Sequence, residues 1–196
     1  MILVENKSKE ALMEIKRIIG EAFVTNELFH EFGSIEERHD LVLRYMDIYV
    51  QCVYESKALY QTEDGNAFLG IAYSDQQPLL PKLKMMAGLF TRLPFSKLKA
   101  LMKHVKDISN GNREYTRFPY TEILMVCVRK ESQHQGYTRE LVSFAKKMAS
   151  NRQLPLLFDT DMESYAKIYQ HYGCELYHTV TAYNGVTRYN LVWKDF

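Results

Sequence analysis

Several things are scarce or missing in this chain of 196 residues. It has only three cysteines, Cys52, Cys127 and Cys174, an odd and scattered set that excludes a disulfide scaffold. Reduced thiols in a cytoplasmic setting are the simplest expectation. No apolar run approaches the roughly 18 residues of a membrane span. The first ten residues carry Glu5, Lys7, Lys9 and Glu10, so they lack the long apolar region of a secretory signal. The sequon Asn6-Lys7-Ser8 is therefore read as chance. No internal repeat or low-complexity segment is present. The six histidines, His30, His39, His104, His134, His171 and His178, show no metal-ligand spacing with cysteine or acidic partners, so no metal is expected. Nucleophile elbows, P-loops and dinucleotide glycine triplets are missing too. Charge of one sign is not in excess: 25 basic minus 24 acidic residues leaves +1. That balance argues against a nucleic-acid partner and against an acidic disordered tail.

What remains is an ordinary globular composition, 46% hydrophobic and 25% charged, in a length that suits one domain. Ser8 can cap a first helix with Leu12, Ile15, Ile19 and Ala22 on one face. Ser34 followed by Glu37 forms a capping box for a second, in which Leu41, Tyr45, Ile48 and Cys52 recur at helical spacing. Residues 57–62 and 67–73 read as strands around the turn Asp64-Gly65.

The stretch 78–106 holds seven Lys or Arg and no Asp or Glu. Leu83, Met86, Ala87 and Phe90 fit the apolar face of one short helix. Leu98, Leu101, Met102 and Val105 fit another, capped by Ser96. A helical hairpin is expected, inserted over 78–112 and basic on its exposed side. It is either a solvated face or a lid over an anionic ligand.

The second half, 120–196, is more informative. Residues 122–129 form an apolar strand. Residues 136–150 are helical, 156–160 form a buried strand, and 163–172 form a helix stopped by Gly173. Strands 175–183 and 186–193 are joined by Asn184-Gly185, a strong hairpin signal. This order implies an α/β chain with a mixed sheet and helices packed against it. Between the strand ending near Arg129 and the helix starting near Gly136 lies Gln133-His134-Gln135-Gly136-Tyr137-Thr138. A helix start offers unpaired N–H groups, and glycine there lets an anion approach the backbone closely.

From Tyr120 onward the chain resembles the GCN5-related N-acetyltransferase (GNAT) family. In that family a strand feeds a loop of form Gln/Arg-x-x-Gly-x-Gly/Ala that cradles the pyrophosphate of acetyl-CoA. Gln133 and Gly136 match, and Thr138 stands at the final small position. The family's Tyr-x-x-x-Gly-Phe is matched by Tyr169 and Gly173, with Cys174 at the last place. His134 stands where a glycine is common. The resemblance implies a GNAT fold with a helical insertion before the cofactor strand. It implies acetyl-CoA as cosubstrate, held by Val126, Cys127, Val128, Gln133, His134, Gln135, Gly136, Tyr137 and Thr138. It also implies a small amine as acceptor and leaves room for a homodimer.

Acetyl transfer to an amine requires the ammonium, of pKa about 10.4, to lose a proton. Negative charge on the carbonyl oxygen needs a donor, here a backbone N–H of the 126–128 strand. The departing thiolate must gain a proton, and the resemblance assigns that role to Tyr169. Glu122 is the candidate base, with Tyr120 on the same side of the strand as a substrate-side residue. Asp159 and Asp161 either hold a cationic substrate or cap the following helix. A second reading stays open, in which a GNAT-like domain binds CoA or a protein partner without catalysis.

Overall fold

Ser8 starts the first helix as its spacing predicts. Its Oγ accepts from the Ala11 N–H at 3.2 Å, and α1 runs Lys9–Phe23 with Ile15, Ile18 and Ile19 buried. The capping box of Ser34 and Glu37 is complete in both directions and opens α2, Ile35–Glu55. A 3-10 segment, Glu27–Phe32, joins the two and buries Phe29 and Phe32. The computed structural model describes residues 1–109 and 115–194. The last positions of the insertion expected over 78–112 therefore lie outside the described residues.

Among the described residues, seven strands form one mixed sheet. They are β1 (Ile2–Leu3), β2 (Leu59–Gln61), β3 (Ala67–Tyr73), β4 (Thr121–Val128), β5 (Leu156–Thr160), β6 (Glu175–Thr181) and β7 (Thr187–Trp193), in the spatial order β1-β2-β3-β4-β5-β7-β6. All neighbours are antiparallel except β4 and β5. That parallel pair needs a crossover, supplied by α5 (Tyr137–Asn151). A shorter helix, α6 (Glu163–His171), follows β5 and ends at Gly173, whose φ of +79° suits glycine.

Alternating strand residues face two cores. Phe68, Met125 and Cys127 pack with α1 and α2 on one side. Ala67, Leu69, Ile71 and Ile123 pack with α5 and α6 on the other. A β-bulge sits at Leu124, where Gly70 pairs with Met125 but Ile71 pairs with Ile123. A Cβ on Gly70 would lie 2.9 Å from Met125 Cγ and 3.2 Å from Leu124 Cβ, so the bulge requires glycine opposite it.

The insertion is a helical hairpin, α3 (Leu79–Arg92) and α4 (Phe95–Ile108). Two expectations about it are corrected. Leu83, Met86 and Phe90 are exposed, while Pro81 and Leu89 are the buried side of α3. Both faces of this helix are apolar, so periodicity alone selected the wrong one. Met102 and Val105 of α4 are likewise exposed, and Leu98, Leu101 and Ile108 are buried with His104. Ser96 is no cap, because α4 starts one residue earlier behind Pro94, without a side-chain cap. Ala22, read as a core position on α1, instead lines a cleft.

Candidate active site

β4 and β5 pair at only two positions, Thr121 with Leu156 and Glu122 with Leu157. The bulge at Leu124 bends β4 just past the last pair, and the strands part. Beyond Glu122 that edge of β4 has no strand partner among the described residues. The gap is a cavity of about 510 Å³, lined by residues 123–128 of β4 and by Phe158, Asp159, Thr160 and Asp161. The end of α1 and the turn after it close one side, with Phe23, Thr25 and Asn26. Tyr165, Ile168 and Tyr169 of α6 close another.

One wall is the loop between β4 and α5. Gly136 is the N-cap of α5 at φ +90°, and no side chain caps the helix start. A Cβ on Gly136 would meet nothing within 4 Å. The glycine is thus demanded by backbone conformation and by open approach from the cavity, and not by packing. His134 also adopts a left-handed conformation, φ 64°, of the kind a glycine takes easily. The loop is held from outside. The Tyr137 hydroxyl donates to Asp64 Oδ2 at 2.5 Å and accepts from Asn66 Nδ2 at 3.0 Å. Arg129 Nε donates to the Gly65 carbonyl at 2.9 Å, and the Arg129 N–H to the Asn66 carbonyl at 2.9 Å. The β2–β3 turn therefore anchors both ends of the segment 129–137. Its hydrogen bonds hold the Asp64 carboxyl well below the usual range.

Tyr169 projects from α6 into the same cavity, packed edge-on against Phe158 with ring centroids 4.8 Å apart. It is 8% exposed, and burial raises its phenol pKa well above the ordinary value. It is therefore a hydroxyl that stays protonated.

Another part of the cavity wall carries acidic residues. Arg188 of β7 makes a two-pronged pair with Asp161, at 2.8 and 2.7 Å, and a longer contact to Asp159 at 3.3 Å. Asp159 opens to water in the cavity but is ringed by protein. Burial raises its pKa, Arg188 opposes that rise, and Asp161 adds to it. Neither aspartate caps α6. Met162 is the N-cap residue, and the Met162 N–H is taken by Thr160 Oγ1 at 3.3 Å. The expected capping role is thus corrected: both carboxylates are turned to Arg188 and the cavity.

No family model matches the sequence, and no curated protein matches it. Solved structures do. A histone acetyltransferase HPA2 and related acetyltransferase from Corynebacterium glutamicum aligns at TM-score 0.62 and 10% identity, over 97% of this chain and 94% of that one. Arylalkylamine N-acetyltransferase 2 from Aedes aegypti aligns at 0.56 and 13%, over 96% and 95%. A GNAT-family protein from Desulfovibrio desulfuricans aligns at 0.50 and 12%, over 98% of each chain. The chain has the GNAT acetyltransferase fold.

Within that GNAT frame, the residues expected to hold the cofactor gather on one side of the cleft. Val126, Cys127, Val128, Gln133, His134, Gly136, Tyr137 and Thr138 all line it. Gln135 does not; its side chain turns outward and donates to the Glu131 carbonyl at 3.3 Å. The Cys127 thiol is buried, with its pKa pushed up to about 12. Glu122 sits at the apex where the strands part, half-buried and outside the cavity lining. Burial and the nearby Asp159 raise its pKa, and Gln77 opposes that rise by hydrogen bonding. Tyr120 precedes β4, with its N–H on Ser74 Oγ at 3.0 Å and its pKa raised by burial and by Glu122. Sequence reasoning missed Tyr49, whose hydroxyl donates to the bulge carbonyl of Leu124 at 3.2 Å. It also missed Arg188, Asp64 and Asn66, each of which acts through contacts distant in sequence. No residue of α3 or α4 lines the cleft: α3 packs on α2, and α4 packs on the 3-10 segment and β6. The lid expectation has no support in this arrangement.

Proposed function

We propose that this protein is an acetyl-CoA-dependent N-acyltransferase that acetylates the primary amine of a small molecule by direct attack. The observation that carries this reading is the parted β4–β5 cleft. On one side it has an uncapped helix start with an open glycine, and on the other it has coupled carboxylates. The first turn of α5 has the N–H groups and dipole that suit a pyrophosphate, and a Cβ at Gly136 would meet nothing within 4 Å among the described residues. Gln133, His134, Gly136, Tyr137 and Thr138 would hold that group, and the open edge of β4 would hold the chain that leads to the thioester. The bound thioester supplies the acetyl group.

The chain's own residues then handle protons. Tyr169 keeps its phenol O–H aimed at the leaving sulfur and stabilises the departing thiolate by hydrogen bonding; a proton passed along that bond returns to the phenol from water, because a thiol, with a pKa of about 8.5, is the stronger acid of the two. Glu122 and Asp159 share an acidic environment in which one carboxylate favours the proton of the other. That arrangement suits uptake of a proton from an approaching ammonium. The arylalkylamine acetyltransferase likeness supports an amine acceptor.

The test begins with thermal unfolding in acetyl-CoA. A ligand at 100 times its Kd stabilises by about 2.7 kcal/mol, roughly 5–10 °C for a chain of this size. No shift at millimolar acetyl-CoA would remove the cosubstrate. Thiol release across a panel of amines comes next. A shift without transfer to any amine would leave a CoA-binding domain without catalysis. On a confirmed substrate, Tyr169→Phe should lower kcat by about 100-fold or more while the thermal shift persists. An unchanged kcat removes Tyr169 from the acid role.

A further inference from the structure

The α3–α4 hairpin carries apolar surface far beyond what its packing uses. On α3, Leu79, Leu83, Met86 and Phe90 recur at spacings of four, three and four and form one outward stripe, with Leu80 beside it. Leu79 is 70% exposed, Leu83 57% and Phe90 51%. On α4, Phe95, Lys99, Met102 and Lys106 repeat the same spacing on its outer side, and Phe95 is 70% exposed. Phe90 and Phe95 flank the Leu93-Pro94 turn that joins the helices.

As far as Lys106 the charge around these stripes has one sign, with Asp107 near the end of α4 as the acid of the two helices. Between 78 and 106 there are seven Lys or Arg and no acid. Lys84 and Arg92 are used inward, pairing with Glu55 at 2.9 Å and Asp47 at 2.7 Å of α2. Those pairs fasten α3 to the body. Lys82, Lys99 and Lys106 stay exposed, and none makes an ion pair among the described residues.

We propose that this hairpin docks the protein on an anionic membrane surface. An apolar stripe set among lysines is the chemistry of a helix lying in a lipid interface. Leu83, Met86, Phe90 and Phe95 would enter the acyl boundary, and the lysines would meet anionic headgroups. The charge disfavours a second copy of this chain as occupant, because a face-to-face pair would bring two lysine sets together. The inference does not depend on acetyl transfer, since no hairpin residue lines the cleft.

Co-sedimentation with lipid vesicles tests it, using the full chain. Vesicles of phosphatidylcholine with about 30 mol% phosphatidylserine should bind the protein, and high salt should weaken that binding. Pure phosphatidylcholine should bind it at least about tenfold more weakly. Leu83→Glu with Phe90→Glu, and separately Lys82→Glu with Lys99→Glu and Lys106→Glu, should each lower binding by about tenfold or more. All five side chains are exposed, and unchanged thermal melts confirm that each variant folds. No binding to anionic vesicles overturns the proposal, as does equal binding to neutral ones. Unchanged binding by both variants overturns it as well. A stable dimer in sedimentation velocity that Leu83→Glu with Phe90→Glu dissociates assigns the face to a second copy instead.

Discussion

Gly136 separates two reasons for keeping a glycine. Its φ of +90° is costly for any L side chain, yet a Cβ there would touch nothing. Gly136→Ala should therefore lose only about 1 kcal/mol, a drop of about 2–4 °C in the ligand-free melt. The larger effect should fall on the ligand, because the new methyl occupies the space from which an anion reaches the α5 N–H groups. KM for acetyl-CoA should rise about tenfold or more, with kcat changed less. A variant with lowered Tm and unchanged KM would show that the glycine serves the turn alone. His134, two residues earlier, is also left-handed, and its side chain lines the cavity. The loop accepts strain at two positions, which fits a segment shaped for a ligand.

At the scale of elements, the loop's shape comes from the β2–β3 turn. Tyr137 bridges Asp64 and Asn66, and Arg129 binds the same turn at the other end. Tyr137→Phe removes both hydroxyl contacts and leaves the ring packed. KM for acetyl-CoA should rise several-fold, kcat should hold, and the melt should fall by little, since the contact is exposed. A fall in kcat with unchanged KM would show that the turn does not position the loop. The turn itself was legible, because Asp64-Gly65 between apolar runs signals a hairpin. Its partner 73 residues away was not, because no local pattern encodes that contact. The helix starts at Ser8 and Ser34 were legible for the opposite reason: a cap is a bond between near neighbours. The bulge at Leu124 left no local trace in β4, and its one signature, Gly70, lies on the partner strand. The family resemblance singled out the 133–138 loop and Tyr169, which line one cavity, but not Arg188, because it acts on β5 from β7.

For the molecule as a whole, the net charge of +1 averages two separated regions. Cations crowd the outer hairpin, while Asp159 and Asp161 line the central cleft beside Arg188, with Glu122 at its apex outside the lining. The apex glutamate makes stability depend on pH. Burial and Asp159 raise the pKa of Glu122 in the folded chain. A raised carboxyl holds its proton more tightly when folded. Below the unfolded value of about 4.3 both states keep the proton, and the group's contribution is fully present. As pH rises through the folded value, that contribution is lost, because the unfolded chain ionises freely and the folded chain does so at a penalty. Glu122→Gln removes the charge while keeping an amide oxygen for Gln77. Its Tm should exceed that of the parent near pH 8, and the gap should close as the pH falls to about 4. The same change removes a like charge from beside Asp159, so any carboxylate limb in the rate profile should move to lower pH. A Tm difference that is constant with pH, or negative near pH 8, would show that the apex glutamate is stabilised by its surroundings, and the coupled-carboxylate account of proton uptake would fall with it.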